Sequence, residues 1–357
     1  MLKSLRVQNF RCFKEIDLPD LRRVNVIVGK NATGKTALLE AVRLALGATP
    51  GVLWALNQTR SAFFGVQQPL TKEIFESLWN QYFFDLDGSH SISTECVDSQ
   101  GRVASLKVFY DSQKSVTAVP QPQTQQQPNQ AISTIAPLAF ERTEFSGKSS
   151  IIFASVNAQG AFVFDPGPEL GIVVEFFPSV MANNPQQTAQ WFSQLSVQKR
   201  ESGITDAVRE EFEPALENLS VLALNNVPAV YANIRYLKER IPLSLLSAGI
   251  NKFVGLLSAV LIRGGGVVLI DEIENGIFYQ RLPSLWKYVL KFATDNDVQI
   301  FASTHSLECV RALGEAMQGH EEEFTLLRSE RTNGSSTISL LQGKFLEAAI
   351  EQGVEIR

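Results

Sequence analysis

The sequence predicts an α/β fold: a mixed sheet with helices on both faces, plus a helical lobe or short arm. Three observations carry that prediction. An apolar run, Val24-Asn25-Val26-Ile27-Val28, leads into Gly29-Lys30-Asn31-Ala32-Thr33-Gly34-Lys35-Thr36 and out into the helical pattern Ala37-Leu38-Leu39-Glu40-Ala41-Val42. A second run, Val267-Val268-Leu269-Ile270, ends in Asp271-Glu272. A third, Val298-Gln299-Ile300-Phe301-Ala302, ends in Ser303-Thr304-His305-Ser306. Apolar runs of this length without polar alternation fit strands buried on both faces of a parallel sheet.

The first run has the order strand, glycine turn, helix start, which is what a phosphate-binding P-loop requires. Gly29 and Gly34 admit torsions and close approach that a side chain would block. The backbone N–H groups of the loop, through Asn31, Ala32 and Thr33, can then face phosphates at a helix N-terminus. Lys35 can then reach the β- and γ-phosphates of a nucleotide, and the Thr36 hydroxyl is placed to ligate Mg²⁺. In the second run Asp271 would hold the Mg²⁺ shell. Glu272, projecting the other way from the strand tip, would polarise the attacking water. Of the three histidines, His90, His305 and His320, only His305 directly follows a buried-strand pattern, and there it reads as a γ-phosphate sensor.

These motifs, in this order, together with Asn9-Phe10-Arg11-Cys12-Phe13 and Asp271-Glu272-Ile273-Glu274-Asn275-Gly276, resemble an ABC-type ATPase of the RecF, SMC and OLD (overcoming lysogenization defect) group. The resemblance spans nearly the whole chain and is closest to the stand-alone OLD-like ATPases, of AAA_15 and AAA_21 type, in bacterial defence systems. It makes the expected fold a P-loop NTPase of ABC-ATPase type and the expected activity ATP hydrolysis. Glu272 then inherits the role of general base, His305 that of the switch histidine, and Arg11 that of an arginine near the nucleotide phosphates. The resemblance also implies a signature motif that contacts the nucleotide of an opposite subunit. Its best match is Leu246-Ser247-Ala248-Gly249-Ile250, where a serine hydroxyl and a glycine N–H could donate to phosphate. The plainer alternative for Ser247 is an ordinary cap of the helix that follows. After Gly276, where relatives carry histidine, this chain has Ile277-Phe278-Tyr279. Gln81 is a candidate Q-loop residue, with an exposed strand-end glutamine as the plainer reading.

Along the chain, 1–118 reads as an N-terminal lobe with the P-loop, a helix over 73–82 and antiparallel strands over 91–110. A Gln/Pro-rich flexible loop spans 119–131. Strands and a helical insertion or arm fill 132–240, with two helices expected over 187–222 from Trp191, Phe192, Leu195, Val208, Phe212, Leu216 and Leu219. The C-terminal lobe, 241–357, carries the signature, Asp271-Glu272 and His305. Sustained heptads are absent, which speaks against long coiled-coil arms.

The chain has 357 residues, 45% hydrophobic and 19% charged, with a net charge of −5. That balance argues against a wholly basic surface while leaving room for a local nucleic-acid groove, for which Lys199, Arg200, Arg209, Arg235, Lys238 and Arg240 are candidates beside the plainer reading as solvated bases. No apolar run approaches the ~20 residues of a membrane span. Cys12, Cys96 and Cys309 lack metal-ligand spacing and suit a reducing cytoplasm. The acidic pairs Asp85/Asp87 and Asp295/Asp297 read as turn caps. The 52 residues after His305 are too few for an appended TOPRIM nuclease of ~100 residues.

The reading is therefore an ATPase, working as a homodimer or higher homo-oligomer, that senses a trigger and controls a separate nuclease or toxin effector in anti-phage defence. The alternative is a RecF-like DNA-repair ATPase that binds DNA directly. A transporter motor is the weakest reading, since the chain lacks both a membrane segment and the transporters' Leu-Ser-Gly-Gly-Gln signature.

Overall fold

The computed structural model describes residues 1–59, 70–118, 133–158, 161–165, 167, 172–179 and 185–342. The Gln/Pro-rich stretch at 119–131 lies outside them. The chain begins with β1 (Leu2–Phe10), β2 (Phe13–Leu18), β3 (Val24–Val28), α1 (Lys35–Gly47), α2 (Pro50–Thr59) and α3 (Lys72–Asn80). Next come β4 (Ile92–Asp98), β5 (Val103–Tyr110), β6 (Val116–Ala118), β7 (Ser133–Ile135), β8 (Leu138–Thr143), β9 (Ser149–Val156), β10 (Phe162–Phe164) and β11 (Val174–Phe177). Helices α4 (Pro185–Val197) and α5 (Ser202–Glu211) precede β12 (Leu216–Leu224), β13 (Val227–Ile234) and β14 (Ile241–Pro242). The last part holds α6 (Leu243–Leu246), α7 (Ala248–Ile262), β15 (Val267–Ile270), α8 (Leu282–Asp295), β16 (Gln299–Ser303), α9 (Leu307–Met317), β17 (Phe324–Thr332) and β18 (Ser335–Leu341).

The sheet that positions the site has the order β11-β15-β16-β3-β17-β18. Its first five strands run parallel and β18 is antiparallel to β17, so it is mixed, as expected. Every residue of β3, β15 and β16 is buried, which is why these strands show no polar alternation. A second sheet, β10-β9-β8-β5-β4-β1-β2, is antiparallel throughout. In β4 burial alternates with exposure, the pattern of a sheet with one face on the core. Both large sheets join chain from either side of 119–131: β3 lies between β16 and β17, and β8–β10 extend the sheet of β1, β2, β4 and β5.

Helix α1 packs against both sheets and is buried along most of its length, hence its apolar residues on all sides. The other face of the mixed sheet is covered by α4, α7, α8 and α9, with the β12–β13 hairpin closing that core. Gln299 of β16, wholly buried, acts as a side-chain bridge between the sheets. Its Oε1 accepts from Leu2 N at 2.8 Å, and its Nε2 donates to the Leu2 and Arg22 carbonyls at 2.8 Å. No helix among the described residues is long and apolar enough to cross a membrane.

Two expectations need correction. The helical reading of 187–222 holds only for α4 and α5; Leu216 and Leu219 belong to strand β12. A register shift between Leu216 and Asn218 adds a residue to one strand and brings positions three apart onto one buried face, which imitates a helical spacing. Gln81 is not an exposed strand end. It caps the C-terminus of α3, half-buried, and donates to Asn57 Oδ1 at 2.8 Å and Leu78 O at 2.9 Å.

Candidate active site

Three parallel strands, β15, β16 and β3, end side by side, and the chemistry-bearing residues follow those ends. The loop after β3 needs its glycines. Gly29 has φ +147 and a Cβ there would lie 2.3 Å from Ser329 O; Gly34 has φ +109 and its Cβ would meet Cys12 Sγ at 2.7 Å. Ala32 is also left-handed, and Thr33 Oγ1 donates to Lys30 O at 2.9 Å. Gly34 caps α1 without any side-chain bond to the first-turn N–H groups, which leaves those donors for an anion. Lys35, almost wholly buried, donates through Nζ to the Gly29 and Lys30 carbonyls at 2.8 and 2.9 Å. Burial holds its pKa below the ordinary lysine value.

Thr36 Oγ1 donates toward Asp271 and stands 3.1 Å from both carboxylate oxygens, while Ser303 Oγ donates to Asp271 Oδ1 at 2.6 Å. A hydroxyl and a carboxylate oxygen set side by side are hard donors that fit Mg²⁺, an ion that takes one or two protein oxygens beside phosphate and water. The next residue, Glu272, is left-handed with φ 50. Its N–H donates to Ser303 Oγ at 2.9 Å, and its carbonyl accepts from Lys252 Nζ at 2.9 Å and Asn275 N at 3.0 Å. Asn275 Nδ2 donates to Glu272 Oε2. His305, just before the Ser306 cap of α9, has Nδ1 3.1 Å from Glu274 Oε1 and 3.8 Å from Glu272 Oε1. Its backbone N–H donates to the same Glu274 oxygen at 2.9 Å.

The structure thus gathers Lys35, Thr36, Asp271, Glu272 and His305 at one sheet edge. Ser247 and Gly249 are placed differently. Ser247 is the N-cap of α7 and accepts from Gly249 N at 3.2 Å, and a Cβ on Gly249 would lie 2.6 Å from Gly276 O. Among the described residues no hydrogen bond joins either of them to Gly29–Thr36. Arg11, between β1 and β2, pairs through Nε with Glu40 Oε2 of α1 at 2.8 Å and lies over the Tyr82 ring. Phe278 and Tyr279 stand exposed in contact with each other, 4.7 Å between ring centroids. Of the acidic pairs, Asp87 accepts from Ser89 N at 2.9 Å and Asp297 pairs with Arg23 at 3.2 Å.

Sequence reasoning missed three supports. Ser303 holds both Asp271 and the Glu272 backbone, and only its place at a strand end could have hinted at this. Glu274 holds His305. Lys252, wholly buried on α7, was signalled by a lone cation in the apolar run 250–262. Burial pushes its pKa down to about 8, against the opposing pull of Glu274, Glu272 and Asp271.

The family described as "AAA domain, putative AbiEii toxin, Type IV TA system" (AAA_21) matches residues 24–311, from β3 through the His305 turn into α9. The chain belongs to the AAA_21 family. This AAA_21 chain is 24% identical to an ATP/GTP phosphatase of Helicobacter pylori, over 91% of its own length and 90% of that protein's. A shorter stretch of 47 residues, 13% of this chain and 9% of the other, is 55% identical to the OLD nuclease of Thermus scotoductus. In fold it is similar to an SMC head solved with the C-winged helix domain of ScpA, with a TM-score of 0.50 at 11% identity, covering 96% of this chain and 98% of that one. It is an ABC-type ATPase of the RecF, SMC and OLD group, on a P-loop NTPase fold.

Proposed function

We propose that this ATPase works as a nucleotide-gated clamp: ATP binding closes two copies on each other, and hydrolysis releases them. One observation supports it above the rest. The hydrolytic set, Lys35, Thr36, Asp271, Glu272 and His305, gathers at the strand ends of β3, β15 and β16 in a single chain, while Ser247 and Gly249 open a separate helix, α7, where Ser247 Oγ accepts from Gly249 N. A second copy related by a two-fold axis would bring its Ser247 and Gly249 to this chain's γ-phosphate, and the reverse, since a two-fold contact uses the same patch twice.

In this reading the loop N–H groups from Gly29 to Thr36 hold the phosphates. Lys35 exchanges its carbonyl partners for the β- and γ-phosphate oxygens, and Arg11, paired with Glu40, braces α1, the helix that leaves the loop. Thr36 and Asp271 would hold Mg²⁺, which would neutralise charge that builds on the phosphates. Glu272 accepts a proton from the attacking water once Asn275 releases its carboxylate, and His305 reports the γ-phosphate to Glu274. Loss of that phosphate removes the binding energy that favours the closed pair.

Closure of the clamp would control a separate effector, a nuclease or toxin, in defence against phage. The family description and the OLD nuclease similarity support that class of partner. The test uses Glu272→Gln. It should bind ATP with near-native affinity while phosphate release slows by about 100-fold or more. Undiminished turnover would remove Glu272 from the base role. The same variant, recovered from its native cells with ATP and Mg²⁺, should bring down a stoichiometric effector protein; recovery of DNA with no protein would favour direct DNA binding instead.

A further inference from the structure

We infer that Lys252 is a positioning residue for hydrolysis: from inside α7 its ammonium holds the Glu272 carbonyl and so fixes the backbone that aims the Glu272 carboxylate. The inference rests on the assignment of Glu272 as the base. Its starting point is the left-handed backbone of Glu272, at φ 50. A glutamate there is strained and persists only where surrounding contacts determine it. Both backbone polar groups of Glu272 are held by side chains. Ser303 Oγ takes the N–H at 2.9 Å from β16, and Lys252 Nζ donates to the carbonyl at 2.9 Å from α7. Asn275 N adds a second bond to that carbonyl at 3.0 Å, from within the same turn. The peptide that sets the direction of the carboxylate is thus gripped from two different elements.

The choice of residue is costly unless the bond matters. Lys252 is wholly buried in a helix that apart from Asn251 and Ser258 is otherwise apolar or small, and an ammonium loses its hydration on burial. A methionine or leucine would fill the same volume without that loss. What lysine adds is a donor long enough to reach Glu272 O and a charge facing Glu274, Glu272 and Asp271. Glu274 in turn holds His305, so Lys252 stands behind both the base and the histidine.

Placement on α7 gives the contact a further meaning. Ser247 and Gly249 are at the N-terminus of this helix, five and three positions before Lys252, or about 7.5 and 4.5 Å of helix rise. The end proposed to meet a second copy and the support of the base are therefore parts of one rigid element. Movement of α7 on engagement of its N-terminus would be felt at the Glu272 carbonyl.

The experiment is steady-state ATP hydrolysis by Lys252→Met, with binding of a fluorescent ATP analogue and a thermal melt on the same preparation, and Glu272→Gln in parallel. A positioning role gives a kcat lowered by about tenfold or more, with KM and analogue affinity within about twofold of wild type, because the loss falls on the transition state and not on nucleotide binding. Lys252→Arg, which keeps charge and donor, should recover part of kcat. Should the methionine variant fail to fold, Lys252→Gln decides. Its amide is shorter by one bond of ~1.5 Å and misses the carbonyl, so the same split is expected. A folded Lys252→Met or Lys252→Gln with wild-type kcat overturns the inference, as does a loss of analogue binding in step with kcat. If Lys252→Met is fully active while Glu272→Gln is inactive, the base assignment stands and only the lysine's role falls. If Glu272→Gln is active, the base assignment itself falls.

Discussion

Single residues here carry two kinds of burden. Asp271 and Thr36 are chemistry read straight from the motif, but Arg11 shows how a motif residue can be committed elsewhere. The resemblance puts it near the phosphates. In the structure its Nε is 2.8 Å from Glu40 Oε2, with Glu40's side chain only 2% exposed. Removing one member of a buried ion pair leaves the other charged without that partner, at a cost of about 3–5 kcal/mol. Arg11→Ala should therefore lower the free energy of unfolding by roughly 3 kcal/mol in urea titrations. The paired change Arg11→Met with Glu40→Leu should recover most of that loss. If Arg11→Ala leaves stability intact and weakens only ATP binding, the arginine serves the nucleotide alone.

At the scale of elements, the helix that begins at Ser247 separates two roles. As an N-cap, Ser247 is worth about 1 kcal/mol, and Ser247→Ala should lose that much in a thermal melt. It should also abolish the ATP-dependent dimer of Glu272→Gln in light scattering; a melt shift with the dimer retained would leave Ser247 a cap only. Gly249 is a sharper case. Glycine to alanine usually stabilises a helix, through the unfolded chain, but here a Cβ would come within 2.6 Å of Gly276 O, a backbone atom that cannot swing away. Gly249→Ala should destabilise by about 1–3 kcal/mol, as the midpoint of a denaturant curve would show. The same elements show where pattern reading reached its limit. Strands β3, β15 and β16 were legible because burial on both faces leaves an unbroken apolar run. Strand β12 was not, since its register shift put Leu216 and Leu219 on one face at a helix-like interval.

Across the whole molecule, buried titratable groups set the response to alkaline pH. Burial raises the thiols of Cys96 and Cys309 from 9.0 to about 12, and lowers the Lys252 ammonium from 10.5 to about 8. Between pH 9 and 10.5 the unfolded chain loses the two thiol protons, and begins to lose the phenol protons of Tyr110 and Tyr288, that the native state keeps; against these it keeps the Lys252 ammonium proton that the native state has lost, and Lys35 is lowered in the same sense as Lys252. The native state holds the net excess, so stability should fall with rising pH, by about 1.4 kcal/mol per pH unit per net proton at most. Denaturant midpoints at pH 8, 9 and 10.5 would check this. In Lys252→Met, where that opposing group is gone, the fall should be steeper. The sequence by itself determined the class of the molecule and marked its candidate site: the P-loop, the Asp271-Glu272 strand end and His305 are short segments whose residue types suit phosphate and metal locally. Only the tertiary structure decided that α1 lies between two sheets, that Arg11 is paired with Glu40, and that Ser303 and Lys252 grip the backbone of Glu272. Those contacts join residues far apart in the chain. A buried polar side chain records in the sequence that it needs a partner, but not which one the fold will bring.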